Sequence, residues 1–155
     1  MKALFFGALV LLLATGCSAF VREVPLTPGE PTAEITIVRE SGFVGGGTTL
    51  TVTVDDQEVL ALWAGEYATL RVPAGERLLG VIYPVQNRRT IRESLQAGRR
   101  YFYLLTISMS TGPALVPITD LVGQRLIRET AERRLETPPW RVAPPENAPP
   151  ASAPR

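Results

Sequence analysis

The chain of 155 residues has no histidine, a single cysteine at Cys17 and a single lysine at Lys2. Each shortage closes a route to function. A serine or threonine nucleophile needs a base, and without histidine the usual one is missing. The lack of lysine beyond position 2 removes the Ser-Lys alternative as well. Zinc loses its preferred nitrogen ligand. One cysteine cannot form an intrachain disulfide, so a hydrophobic core has to carry the fold. Charge of one sign is not in excess either, with 16 basic against 15 acidic residues. That balance offers no basic surface for nucleic acid.

The acids do not supply chemistry by their spacing. Asp55 and Asp56 are adjacent, and neighbours in an extended chain point to opposite faces, so they cannot flank one bond. They read as turn residues. Glu58, Glu66 and Glu93 are scattered without metal partners. The expectation is a protein that is not an enzyme, with no cofactor and no metal.

What is present begins at the N-terminus. Met1-Lys2 supplies a positive charge, and Ala3–Ala14 is an apolar run of twelve residues. That is short of the roughly 20 residues of a membrane span but suits a secretory signal. Ala14-Thr15-Gly16-Cys17 resembles the lipobox of bacterial lipoproteins. The resemblance implies cleavage between Gly16 and Cys17, a diacylglyceryl thioether on Cys17 and acylation of the new amino group. It departs from the family pattern at Ala14, where leucine is commoner, with Leu13 one place early. Ser18 in place of aspartate implies an outer-membrane location facing the periplasm. Two or more acyl chains hold firmly, at about 0.8 kcal/mol per buried methylene. The competing reading is an incidental thiol in a soluble periplasmic protein.

The chain divides into a signal (1–16), a tether (17–32), a folded domain (33–135) and a proline-rich tail (136–155). Taking the first 16 from 155 residues leaves 139, enough for one domain. Pro25, Pro28, Gly29 and Pro31 argue against regular structure in the tether. Seven prolines between Pro138 and Pro154 favour polyproline II and disorder in the tail.

The domain reads as strands. Ile35–Arg39 is β-rich. Leu50, Val52 and Val54 alternate with Thr49, Thr51 and Thr53, which predicts a half-buried strand with a threonine outer face. Further strands are expected over Val59–Trp63, Ala68–Val72, Leu78–Tyr83, Thr90–Leu95, Tyr101–Met109 and Ala114–Ile118. Asp55-Asp56-Gln57, Ala64-Gly65-Glu66, Pro73-Ala74-Gly75-Glu76 and Ala97-Gly98 separate them as turns. The period then changes. Thr119 is the expected N-cap of a helix reaching about Leu135, with Leu121, Leu126, Ile127, Ala131 and Leu135 on its apolar side and Gly123 as its weak point. The expected fold is all-β, a small antiparallel β-sandwich or partly open barrel with one C-terminal helix.

The segments ITIVRESGFVGGG, LTVTVDDQEVLALWAGEYATLRVPAGERLL and LQAGRRYFYLLTISMSTGPALVPIT resemble a family of bacterial lipoprotein domains of unknown function. The resemblance covers roughly residues 33–130. Within it, VDDQEVLALWAGEYATLRVPAGERLL is similar to the PEGA module at Asp55, Gly65, Tyr67, Pro73 and Gly75. These are turn and core residues. The resemblance implies a small surface-associated β unit linked to the envelope surface or to sugars, and it brings no catalytic residues.

Three groups remain as binding sites. Gly42–Gly47 could cradle an anion with backbone N–H groups. A phosphate loop would need a Lys-Ser/Thr pair opening a helix, and none follows. Arg88, Arg89 and Arg92 lie on one segment and Arg99 and Arg100 begin the next. If those strands pair, they form a basic patch for lipid phosphates or an acidic partner. The alternative is a solvated face balanced by Glu76 and Glu93. Trp140, within Pro138-Pro139-Trp140, is either a recognition motif in a pre-ordered segment or a side chain packed back on the domain. Trp63 reads as core. The partners expected are a membrane through Cys17 and an envelope protein or polymer, and no nucleic acid. The expected function is a lipid-anchored, non-enzymatic interaction module; the alternative is a small-ligand or glycan binding module.

Overall fold

The computed structural model describes residues 19–42, 46–83 and 87–134. They form ten strands and one helix: β1 (Phe20–Val21), β2 (Thr32–Arg39), β3 (Leu50–Val54), β4 (Gln57–Leu62), β5 (Glu66–Pro73), β6 (Gly75–Tyr83), β7 (Asn87–Leu95), β8 (Arg100–Ser108), β9 (Gly112–Ile118), α1 (Asp120–Arg128) and β10 (Ala131–Glu132). The strands build two five-stranded sheets, ordered β1-β4-β3-β6-β7 and β10-β5-β2-β8-β9. The fold is an all-β sandwich with one helix, and the sheets do not close into a barrel.

The strands form where branched and aromatic residues are dense and the pattern alternates. Ala33, Ile35 and Ile37 of β2, Leu50, Val52 and Val54 of β3, and Tyr103 and Leu105 of β8 point into one core between the sheets. The turns then set the path. Asp55 and Asp56 both have positive φ, 47° and 69°. This is the two-residue hairpin turn whose twist matches the flanking strands. Gly65 and Gly75, at φ 83° and 99°, sit at corners instead. There the chain leaves the first sheet after β4, forms β5 in the second, and returns as β6. Glycine reaches such φ values without steric cost.

Four expectations are corrected. The sheets are not purely antiparallel: β2 pairs with β8 in parallel, and β10 pairs with β5 in parallel. Connections that cross between sheets allow this, because β2 and β8 do not follow one another in the chain. The 17–32 tether is not free. Phe20 and Val21 pair with Ala61 and Leu60 of β4, Val21 is 1% exposed, and Val24 packs against the core. Burying these apolar residues outweighs the prolines that follow them. Thr53 does not face solvent, because Arg88 and Thr90 lie beside it over Gly80; its hydroxyl has no hydrogen-bond partner.

The helix is the fourth. It stops at Arg128, short of Leu135. The Thr130 hydroxyl donates to the Leu126 carbonyl, and the N–H groups of Ala131 and Arg133 then donate to Gly65 and Tyr67 on the edge of β5. A sheet edge offers these groups better partners than another turn of helix. Thr119 is the N-cap by position, but its side chain makes no capping bond. Gly123, the expected weak point, is where the helix meets the sheet: a Cβ there would lie 2.3 Å from the Phe102 ring. Gly123 and Leu126 face inward, so Leu121 turns out to solvent at 82% exposure.

Two outcomes test this packing. Gly123→Ala gains up to about 1 kcal/mol of helix propensity but overpacks Phe102 at about 1–3 kcal/mol. A net loss is expected in urea unfolding; a gain would show that the helix stands off the sheet. The Tyr103 phenol is pushed above its usual range by burial, and further by Glu93 and Tyr101. The unfolded chain releases that proton near pH 10 while the fold retains it, so stability falls above about pH 10 by up to about 1.4 kcal/mol per unit. Tyr103→Phe is expected to flatten this alkaline fall in thermal midpoints read from pH 8 to 11.

Candidate functional site

At one end of the sandwich a charge enters the core. Arg39 closes β2, and alternation turns it inward after Ile35 and Ile37. It is 3% exposed. Its Nη1 donates to the Leu62 carbonyl at 2.6 Å and to the Thr48 carbonyl at 2.8 Å. Leu62 ends β4, so the guanidinium ties the second sheet to the first. The Gly65 N–H donates in turn to the Arg39 carbonyl at 2.9 Å. Burial pulls the Arg39 pKa below its ordinary value, and Glu66 and Tyr83 oppose that shift. Glu66 pairs with Arg133 through Oε1 and accepts the Trp63 N–H through Oε2 at 2.9 Å. This cluster is satisfied and structural.

The open chemistry lies along β5. In a strand, alternate main-chain groups point to the same edge. The carbonyls of Gly65 and Tyr67 accept from Ala131 and Arg133 of the β10 segment. Thr69 and Arg71 continue that edge, and among the described residues no strand pairs with them there. A groove of about 660 Å³ runs alongside, between Thr69–Arg71 and the segment Glu23–Leu26, with Glu34 in its wall. A second depression of about 360 Å³ shares Glu34 and Arg71 and adds Arg99 and Arg100. Val24, Pro25 and Leu26 make one side apolar, while the arginines make one end cationic. Arg100 is held by Glu34 at 2.6 Å. The outer main-chain groups of β5, an apolar wall and a guanidinium cluster therefore converge on one surface.

The residues singled out from sequence are dispersed. Gly16, Cys17 and Trp140 lie outside the described residues, as does the whole proline-rich tail, 136–155. Arg88, Arg89 and Arg92 stand on β7, the edge of the first sheet, whereas Arg99 and Arg100 lead into β8 of the second. The two groups do not pair into one patch, because the chain crosses between sheets at Gln96–Arg99. Arg88 reaches Asp56, and Arg92 lies 3.7 Å from Glu76. Asp55 is pushed up by partial burial, but the Leu78 N–H and Arg77 outweigh this and hold it below the usual carboxylate range. Trp63 lies just past β4 and is half-buried rather than core. The groove residues Glu23–Leu26 and Arg71 carry no signal of their own in the sequence: the first stretch reads as tether, and Arg71 falls within the expected strand Ala68–Val72.

Among the described residues, no group of three or more His, Cys, Asp or Glu side chains could hold a metal ion. No helix among them is long and apolar enough to cross a membrane. In comparison with known proteins, no family model matches the chain and no curated protein matches it.

The Arg39 tie has a direct test. Arg39→Met keeps a long apolar side chain but strands the buried Leu62 carbonyl at about 1–3 kcal/mol, and the part-buried Thr48 carbonyl at less. A loss of about 3 kcal/mol is expected in urea unfolding, with the slope unchanged. A loss below about 1 kcal/mol would mean that the sheets hold together without it.

Proposed function

We propose that the chain is a lipid-anchored lipoprotein of the cell envelope, held at the outer membrane on its periplasmic side through Cys17. It works without catalysis, as an interaction module that binds an extended segment of an envelope protein or polymer. One observation carries the binding half of this reading: the outer edge of β5 at Thr69 and Arg71 is unpaired among the described residues and opens on a groove. An exposed edge is a template for strand addition. Main-chain bonds supply affinity there, and flanking side chains supply selectivity. The apolar wall at Val24–Leu26 and the cationic end at Arg71, Arg99 and Arg100 favour a segment with apolar residues followed by a carboxylate. The lipobox resemblance at Gly16-Cys17 supports the anchor, and the likeness of Asp55, Gly65, Tyr67, Pro73 and Gly75 to PEGA units supports a surface-associated module.

A second reading has its own observation. Glu34, Thr69 and Arg71 line the groove, and such groups suit the hydroxyls of a glycan or small ligand.

Position 71 separates the two. Strand addition uses the Arg71 N–H, which points away from β2, so a proline there removes the donor without touching the β2–β5 ladder. Crosslinking in intact cells with mass spectrometry is expected to capture a partner with the native chain, less with Arg71→Ala and none with Arg71→Pro. A glycan held by side chains predicts equal loss with both variants. Full capture by Arg71→Pro would overturn the strand-addition reading.

A further inference from the structure

Very little chain lies between Cys17 and the folded domain. Ala19 is 7% exposed, Phe20 and Val21 are paired to β4, and the Arg22 N–H donates to the Val59 carbonyl at 2.7 Å. Only Ser18 intervenes, so two Cα steps, about 8 Å, separate Cys17 from Ala19. An acylated Cys17 would therefore hold the domain against the bilayer with almost no slack.

The strand registers identify the end that is held there. Phe20 pairs with Ala61, placing Ala19 beside Leu62 at the last residue of β4. Leu62 is opposite Leu50, and its carbonyl accepts from Arg39 at the last residue of β2. β2 and β8 are parallel, with Val38 opposite Leu104, and β8 then continues to Ser108 beyond its last pairing with β2. The β8–β9 turn, Met109–Thr111, thus lies at the same end as Ala19. Met109 at the turn is 91% exposed. From Tyr101 to Thr119 the chain carries no charged residue, although charged residues are 20% of the whole. Ser108, Ser110 and Thr111 surround Met109 with small hydroxyls. An uncharged turn with an apolar tip enters the headgroup region without desolvating a charge. The Ala19 end has Glu40 beyond β2 and the Glu66–Arg133 pair set back on β5, while the opposite end carries Asp55, Asp56, Glu76, Arg77 and Arg99 at its turns.

We infer that the sandwich sits on the bilayer by the end that carries Ala19, with Met109 of the β8–β9 turn as a second contact beside the acyl chains. The partner of this surface is the phospholipid headgroup layer. Two separated contacts restrict the tilt of the domain, and the depression at Arg71, Arg99 and Arg100 then lies at the end turned away from the membrane. This rests on the lipid-anchor reading and not on the strand-addition reading.

The test uses the chain's shortage of thiols. With the Cys17 sulfur in a thioether, a new cysteine is the sole thiol. Met109→Cys and Leu121→Cys, both at exposed positions, are labelled with an NBD fluorophore in the full-length mature lipoprotein. Each is placed in phosphatidylethanolamine–phosphatidylglycerol vesicles containing doxyl-labelled lipid. Quenching of about threefold is expected at position 109 and none at 121, since interfacial side chains reach about 5–10 Å into the boundary. Equal emission at the two positions overturns the seating while leaving the anchor intact. The intact mass of the mature chain is read first. A mass without acyl groups, or a Cys17 thiol that takes the label, overturns the anchor reading and the seating with it.

Discussion

The two sheets depend on one buried charge. Arg39 ends a strand of the second sheet and donates to the Leu62 carbonyl of the first sheet and to the Thr48 carbonyl in the segment that leads into β3. A chain with one cysteine cannot staple its sheets with a disulfide, and apolar packing has no direction. The guanidinium supplies direction, because a desolvated donor left unmatched is costly. It also fixes which residues meet at that end. The Leu62–Gly65 corner closes over it through the bond from Gly65 to Arg39, and Glu66 is brought beside it. The carboxyl of Glu66 then serves Trp63 and Arg133 together.

The outer faces follow different rules. The second sheet buries Thr36, Val38 and Phe102 on its outer side under α1, where the Thr36 and Thr69 hydroxyls pair at 3.0 Å. The helix comes this close because Gly123 has no side chain to meet Phe102. Among the described residues no helix covers the first sheet. On its outer face Arg88 ends on Asp56, while Arg77, in step with the inward Leu79 and Val81, ends on Asp55 at the end of the sandwich. Exposed pairs of this kind contribute little to stability, about 0–1 kcal/mol each. Their long apolar stems nonetheless cover strand surface, as at Gly80 beneath Arg88.

These features give the molecule two distinct ends. One carries Ala19, Arg39 and the uncharged turn at Met109. The other carries the charged turns and the depression at Arg71, Arg99 and Arg100, from which the β5 groove extends. In the inferred seating the first end faces lipid and the second faces the periplasm. Among the described residues the edge of β5 is only partly capped, since β10 covers Glu66 and Tyr67 and ends there. A longer β10 would bury the edge, and none at all would leave it prone to aggregation. Partial capping leaves a short edge, which is where the proposed strand addition takes place.

Much of the fold was legible in the sequence because it is local. Alternation in Leu50–Val54, the β-rich run at Tyr101–Met109 and the turn residues at Asp55-Asp56 and Pro73–Gly75 placed strands and turns close to where they stand. Short contacts along the chain decide such features, and each leaves its own pattern. The proposed signal and lipobox rest likewise on a local pattern, and on the sequence alone. Pairing between distant segments was not legible. Nothing in a turn such as Ala64-Gly65 says whether it closes a hairpin or passes to the other sheet, since both need the same positive φ. The placement of Arg88 and Arg100 in different sheets, the pinning of Phe20–Val21 to β4 and the burial of Arg39 all follow from that choice. They depend on which strands lie side by side, and only the packing of the whole chain decides that.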